Sequence, residues 1–123
     1  MPVQPQMILL VDDEPSVLSI VALILSQEGF QVITANGAAE ALKLADGAAR
    51  EAGLLLTDVS MPVMDGAALA QLLVQKNPAL RVLFMTGYAA PEIFEDGIPH
   101  AAGVIRKPFG ARDLAERVQT ALS

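Results

Sequence analysis

Four places in this sequence hold side chains that can do chemistry. They are the acid pair Asp12-Asp13 in "LLVDDEP", Asp58 in "LLLTDVSMPVMDG", Thr86 in "VLFMTGYA" and Lys107 in "GVIRKPF". Each follows an apolar run. Three carboxylates gathered at one point repel one another, and a divalent, oxygen-seeking cation removes the conflict. Magnesium suits a site with few carboxylates, a backbone carbonyl and open positions for water. An aspartate beside such a cation can attack a phosphoryl group and form an acyl phosphate. Lys107 and the cation would balance the charge, and the Thr86 hydroxyl could donate to a phosphoryl oxygen.

Each residue also has an ordinary structural reading. Asp12 or Asp13 could cap a helix that starts at Pro15. Asp58 could be a loop acid. Thr86-Gly87 could be a plain turn, and Lys107-Pro108 a solvated lysine before a helix. The elements that carry them favour the chemical reading. Strands are expected at Met7–Val11, Phe30–Thr34, Leu54–Thr57, Val82–Met85 and Gly103–Ile105. Between them, apolar residues recur at helical spacing: Val17, Val21, Ile24 and Leu25; Ala38, Ala41, Leu42 and Ala45; Leu69, Leu72 and Leu73; Leu114, Val118, Ala121 and Leu122. Pro15, Asp65 and Asp113 mark helix starts. Glu28-Gly29, Asn36-Gly37 and Asn77-Pro78 mark turns.

Strand and helix alternating five times predict an α/β fold, a doubly wound five-stranded parallel sheet with helices on both faces. Continuous apolar strands such as "MILLV" fit burial on both sides. Pro91, Gly97 and Pro99 leave room for only a short or irregular fourth helix. Ligands of open parallel sheets bind beyond the carboxyl ends of the strands. The acids, the hydroxyl and the lysine all fall there.

Composition narrows the rest. At 123 residues the chain fits one domain. It has no cysteine, which excludes disulfides and thiolate metal sites. Although 53% of its residues are apolar, no apolar run reaches the roughly 20 residues of a membrane span. "MPVQPQ" shows no signal-peptide pattern. A cytoplasmic protein with no membrane partner is expected. The formal net charge of −6 argues against direct contact with nucleic acid.

"LLVDDEP", "DVSMPVMDG", "MTGYA" and "RKPF", in this order and spacing, resemble the receiver domain of two-component response regulators, the CheY-like family. The resemblance covers about Met7 to Leu122, with residues 1–6 as a tail and 7–123 as the receiver domain. It implies a flavodoxin-like (βα)5 fold with strand order 2-1-3-4-5. It also implies Asp58 as phosphoacceptor, and Mg2+ held by Asp13, Asp58 and the Ser60 carbonyl, with Asp12 acting mainly through water. Thr86 would move towards the phosphoryl group, Lys107 would pair with it, and the Lys107–Pro108 peptide would be cis. The donor would be a histidine kinase or a histidine phosphotransfer protein, and an output protein would read the phosphorylated state. Two features depart from the common pattern. The position three residues before the lysine, commonly Tyr or Phe, is Val104, while Tyr88 follows the threonine and glycine. This resembles a Thr-Gly-Tyr subgroup found among stand-alone receivers and at the C-termini of hybrid kinases. Thr86, Tyr88 and Val104 are therefore the expected switch positions.

The leading expectation is a phosphorylation-controlled signalling module, catalysing only its own aspartyl phosphorylation and dephosphorylation. With nothing after "VQTALS", it would act through a partner or be a C-terminal receiver fragment of a hybrid histidine kinase. A magnesium-dependent aspartyl-phosphate phosphatase is the competing enzyme class, but haloacid-dehalogenase-type enzymes need Asp-x-Asp and here the acids are adjacent. A degenerate receiver that binds partners without phosphorylation is a third reading, opposed by Asp58 and Lys107.

Overall fold

Met7–Val11 enters the interior as an inner strand because neither of its faces has a polar side chain to offer water. The computed structural model describes residues 6–59, 64–87 and 101–122. In chain order the elements are β1 (Met7–Val11), α1 (Pro15–Gln27), β2 (Gln31–Ala35), α2 (Ala38–Ala45), β3 (Leu54–Asp58), α3 (Gly66–Lys76), β4 (Arg81–Thr86), β5 (Ala101–Arg106) and α4 (Ala111–Leu122). The strands form one parallel sheet in the order β2-β1-β3-β4-β5. The fold class and strand order are those expected. β2 lies one residue later than its apolar run suggested, and β3, β4 and β5 extend past theirs, so Asp58 and Thr86 are the last residues of their strands.

Alternation along the strands divides the core into two layers. Ile8, Leu10, Leu54, Leu56, Leu83, Met85 and Ile105 pack against Val21 and Leu25 of α1 and Leu114, Val118 and Ala121 of α4. Leu9, Val11, Leu55, Val82 and Phe84 face the other way, onto Ala38 and Ala41 of α2 and Leu69, Ala70, Leu73 and Val74 of α3. The inward stripe of α3 differs from the sequence expectation. Leu69 and Leu73 are buried, but Leu72 is 38% exposed. Ala70 and Val74 complete the stripe instead.

Local signals explain the boundaries. Pro15 opens α1, where a missing N–H costs nothing. Asp65 caps α3, its carboxylate accepting from the Ala68 N–H at 2.8 Å. Gly29 follows the end of α1 with φ 93°, a left-handed conformation suited to glycine. In β5 the pairing slips by one residue between Val82↔Ala101 and Leu83↔Gly103, a bulge. The fourth helix expected between Tyr88 and the fifth strand falls outside the described residues.

Candidate functional site

Two of the three acids and the lysine reach one side of the sheet by strand alternation. Asp12 stands two residues beyond Leu10, Asp58 two beyond Leu56 and Lys107 two beyond Ile105, so all three continue rows on the α1/α4 side. Main-chain bonds carry the sheet past its strands and fix these positions. The Asp12 N–H donates to the Ala35 carbonyl at 3.2 Å, Val59 N–H to Met85 at 3.0 Å, and Lys107 N–H to Thr86 at 2.8 Å. The Lys107–Pro108 peptide is cis, as expected.

The side chains meet in the described geometry. Lys107 Nζ donates to Asp12 Oδ2 at 2.9 Å and to Asp58 Oδ2 at 3.2 Å. Asp12 is fully buried and Asp58 nearly so. The other Asp12 oxygen accepts the Glu14 N–H at 3.0 Å and closes the turn that leads into α1; Glu14 is the N-cap and no side chain caps the helix, so the ordinary reading of Asp12 or Asp13 as its cap does not hold. Asp12 serves the turn and the cluster together. Asp13 is exposed and turned towards α2, beside a cavity of about 340 Å3 lined also by Asn36, Ala38, Leu42 and Met64. One oxygen each from Asp12, Asp13 and Asp58 lies within 4.8 Å of the others.

Burial by itself would push the Lys107 ammonium down. The hydrogen bond and charge of Asp12, then the charge and hydrogen bond of Asp58, outweigh it and hold the group above the ordinary lysine value. Lys107 is therefore a fixed cation. Three carboxylates gather here, and the Lys107 ammonium is bonded to two of them. The donor set is oxygen alone, which fits a hard divalent cation.

Two residues beneath Asp58 were not singled out from the sequence. Gly66, the first residue of α3, lies against the Asp58 peptide: a Cβ there would stand 2.2 Å from the Asp58 carbonyl oxygen. Its N–H donates to the Val59 carbonyl at 2.8 Å. Thr57, fully buried, donates its hydroxyl to that same Asp58 carbonyl at 3.0 Å. The available signal was a glycine in a helical first turn, where it costs about 1 kcal/mol relative to alanine unless a close approach requires it.

Thr86 is buried at the end of β4. Val104 is half-buried beside the α2/α3 layer that holds Phe84, and its carbonyl accepts a hydrogen bond from the Arg117 guanidinium of α4. Ser60 and Tyr88 lie outside the described residues.

Comparison with known proteins agrees with this arrangement. The sequence profile of the response regulator receiver domain matches residues 8–119. The chain is 35% identical over 117 residues to the response regulator receiver protein CpdR of Brucella abortus, covering 94% of this chain and 95% of that protein. It is 33% identical to part of the sensor kinase CckA of the same organism, where it spans 94% of itself but 12% of the kinase. The chemotaxis response regulator CheY4 of Vibrio cholerae superposes with a TM-score of 0.85 at 30% identity, over 96% of this chain and 99% of that one. With the strand order, the acid cluster and the bonded lysine already in place, these matches show that the chain belongs to the response-regulator receiver family of two-component systems.

Proposed function

We propose that this chain accepts a phosphoryl group on Asp58 from a phosphohistidine of a histidine kinase or phosphotransfer protein and passes the change to a protein partner. One observation carries the reading. Asp58 ends a buried strand within 4.8 Å of two further carboxylates and is hydrogen-bonded by Lys107. In the transfer, an Asp58 carboxylate oxygen forms the new bond to phosphorus as the bond from phosphorus to the histidine nitrogen breaks. The imidazole leaves and keeps the electron pair. Lys107 stays charged and holds a phosphoryl oxygen, and the Thr86 hydroxyl donates to another. Asp13, Asp58 and the Ser60 carbonyl would hold Mg2+, with Asp12 acting through water. When bound, the ion supplies positive charge against the carboxylates and the phosphoryl oxygens.

The chain catalyses nothing beyond forming and losing its own acyl phosphate. The receiver unit is residues 7–123, acting in the cytoplasm. No helix among the described residues is long and apolar enough to cross a membrane. The match within CckA supports a second setting, a receiver carried by a hybrid kinase.

The test is labelling with acetyl phosphate and Mg2+, read by intact mass. The wild-type chain should gain one phosphoryl group, lost again in hydroxylamine, and Asp58→Asn should gain none while keeping its melt. Stable labelling of Asp58→Asn would overturn the assignment. Repeated turnover of donor without a labelled chain would point to the phosphatase class instead.

A further inference from the structure

We infer that Gly66 and Thr57 form a clamp on the Asp58 carbonyl, and that this clamp sets where the Asp58 carboxylate stands. Both are positioning residues for phosphoryl transfer, and the inference rests on the reading of Asp58 as phosphoacceptor. The carbonyl and the carboxylate of one residue share a Cα. Rotating the Asp58–Val59 peptide therefore swings the side chain relative to its neighbours. The Val59 N–H bond to Met85 limits that rotation, and two further contacts act on the carbonyl end. The Thr57 hydroxyl donates to the carbonyl oxygen at 3.0 Å. Next to Thr57, the start of α3 closes down so far that a Cβ on residue 66 would stand 2.2 Å from the oxygen, 3.0 Å from the carbonyl carbon and 3.2 Å from Thr57 Cγ2. Atoms cannot approach that closely, and the two nearest of the three obstructing atoms are backbone rather than a yielding side-chain tip. A methyl at residue 66 must therefore move either the α3 start or the Asp58 peptide.

The α3 start is poorly free to move. Its Gly66 N–H is bonded to the Val59 carbonyl, Asp65 caps it, and Leu69 is fully buried one turn on. The displacement falls on Asp58. There the carboxylate is bonded to Lys107 at 3.2 Å and belongs to a cluster whose oxygens lie within 4.8 Å of one another. Misplacing a reacting group by about 1 Å can cost on the order of a hundredfold in rate. A fold-only role would lower stability and leave the chemistry of the folded molecules alone.

The experiment compares wild type, Gly66→Ala, Thr57→Val, Asp58→Asn and Gly47→Ala. The last adds a methyl that meets only the Lys43 carbonyl, at 3.7 Å. Labelling rate at saturating acetyl phosphate and Mg2+ dissociation constant are measured at a temperature where each variant's melt shows it fully folded. Expected are losses of about ten- to a hundredfold in labelling rate for Gly66→Ala, and smaller losses for Thr57→Val. Mg2+ binding should weaken in both, and Gly47→Ala should match wild type. Wild-type rate and Mg2+ affinity in folded Gly66→Ala overturn the clamp. If Gly66→Ala does not fold, Thr57→Val decides: wild-type values there overturn it. Labelling of Asp58→Asn would sink the phosphoacceptor reading itself, and unchanged clamp variants beside an unlabelled Asp58→Asn sink only this inference.

Discussion

Lys107 Nζ lies 2.9 Å from Asp12 Oδ2, closer than its 3.2 Å approach to Asp58. The lysine is thus anchored by a buried acid outside the proposed transfer and shared with the acid proposed to react. When a phosphoryl group arrives on Asp58, Lys107 need not cross the site to meet it.

Lys107→Met leaves the buried Asp12 charge without its cation. Losing one partner of a buried pair costs about 3–5 kcal/mol. The Lys107 side chain is 22% exposed, so the expected loss is smaller, about 1–3 kcal/mol in metal-free buffer. Because the ammonium is held above the ordinary value of 10.5, its contribution is complete below that pH and is lost as pH rises through the raised folded value. Denaturant melts of the variant matching wild type near neutral pH would refute the anchor.

Magnesium should stabilise the chain by mass action. At a concentration tenfold above its dissociation constant the gain is about 1.4 kcal/mol, or about 5 °C in melting temperature. EDTA should remove it, and Asp13→Asn should weaken it. Melts indifferent to Mg2+ and EDTA would show that the three acids do not hold the ion.

Leu69 and Leu72 sit three residues apart on α3 but differ in burial, 0% against 38%. Leu69→Ala should cost about 2–5 kcal/mol and Leu72→Ala below about 1 kcal/mol in urea denaturation. Equal losses would put the helix's inward face where its sequence periodicity first placed it.

Thr86 and Tyr88 should respond together to a phosphoryl mimic. With Mg2+ and beryllofluoride, the Thr86 methyl and the Tyr88 ring are expected to shift in NMR spectra of the wild type and stay fixed in Asp58→Asn. A Tyr88 ring unmoved while the Thr86 methyl shifts would remove Tyr88 from the switch.

The sheet and its order were legible because buried parallel strands have no polar face, so each appears as an apolar run and the chemistry stands at its end. The positions of the acid pair, Asp58 and Lys107, which the structure brings together, and of Thr86 at the end of β4 were legible for the same reason. Leu72 misled because three leucines at helical spacing look alike until close packing selects Ala70 and Val74. Gly66 and Thr57 escaped because their importance is an atomic approach, 2.2 Å to a hypothetical Cβ and 3.0 Å to a hydroxyl, that no periodicity encodes. The Asp12–Lys107 bond joins residues 95 positions apart, and only the crossovers of the fold bring them together.

The main-chain bonds that extend the sheet beyond its strands have an evolutionary consequence. Asp12, Val59 and Lys107 are held by Ala35, Met85 and Thr86, through carbonyls that every residue type possesses and N–H groups that every type but proline possesses. The reactive floor is therefore independent of what covers the outer faces of the helices. Changes on the exposed sides of α1 and α4 can therefore accumulate while these bonds, and the positions they set, stay in place.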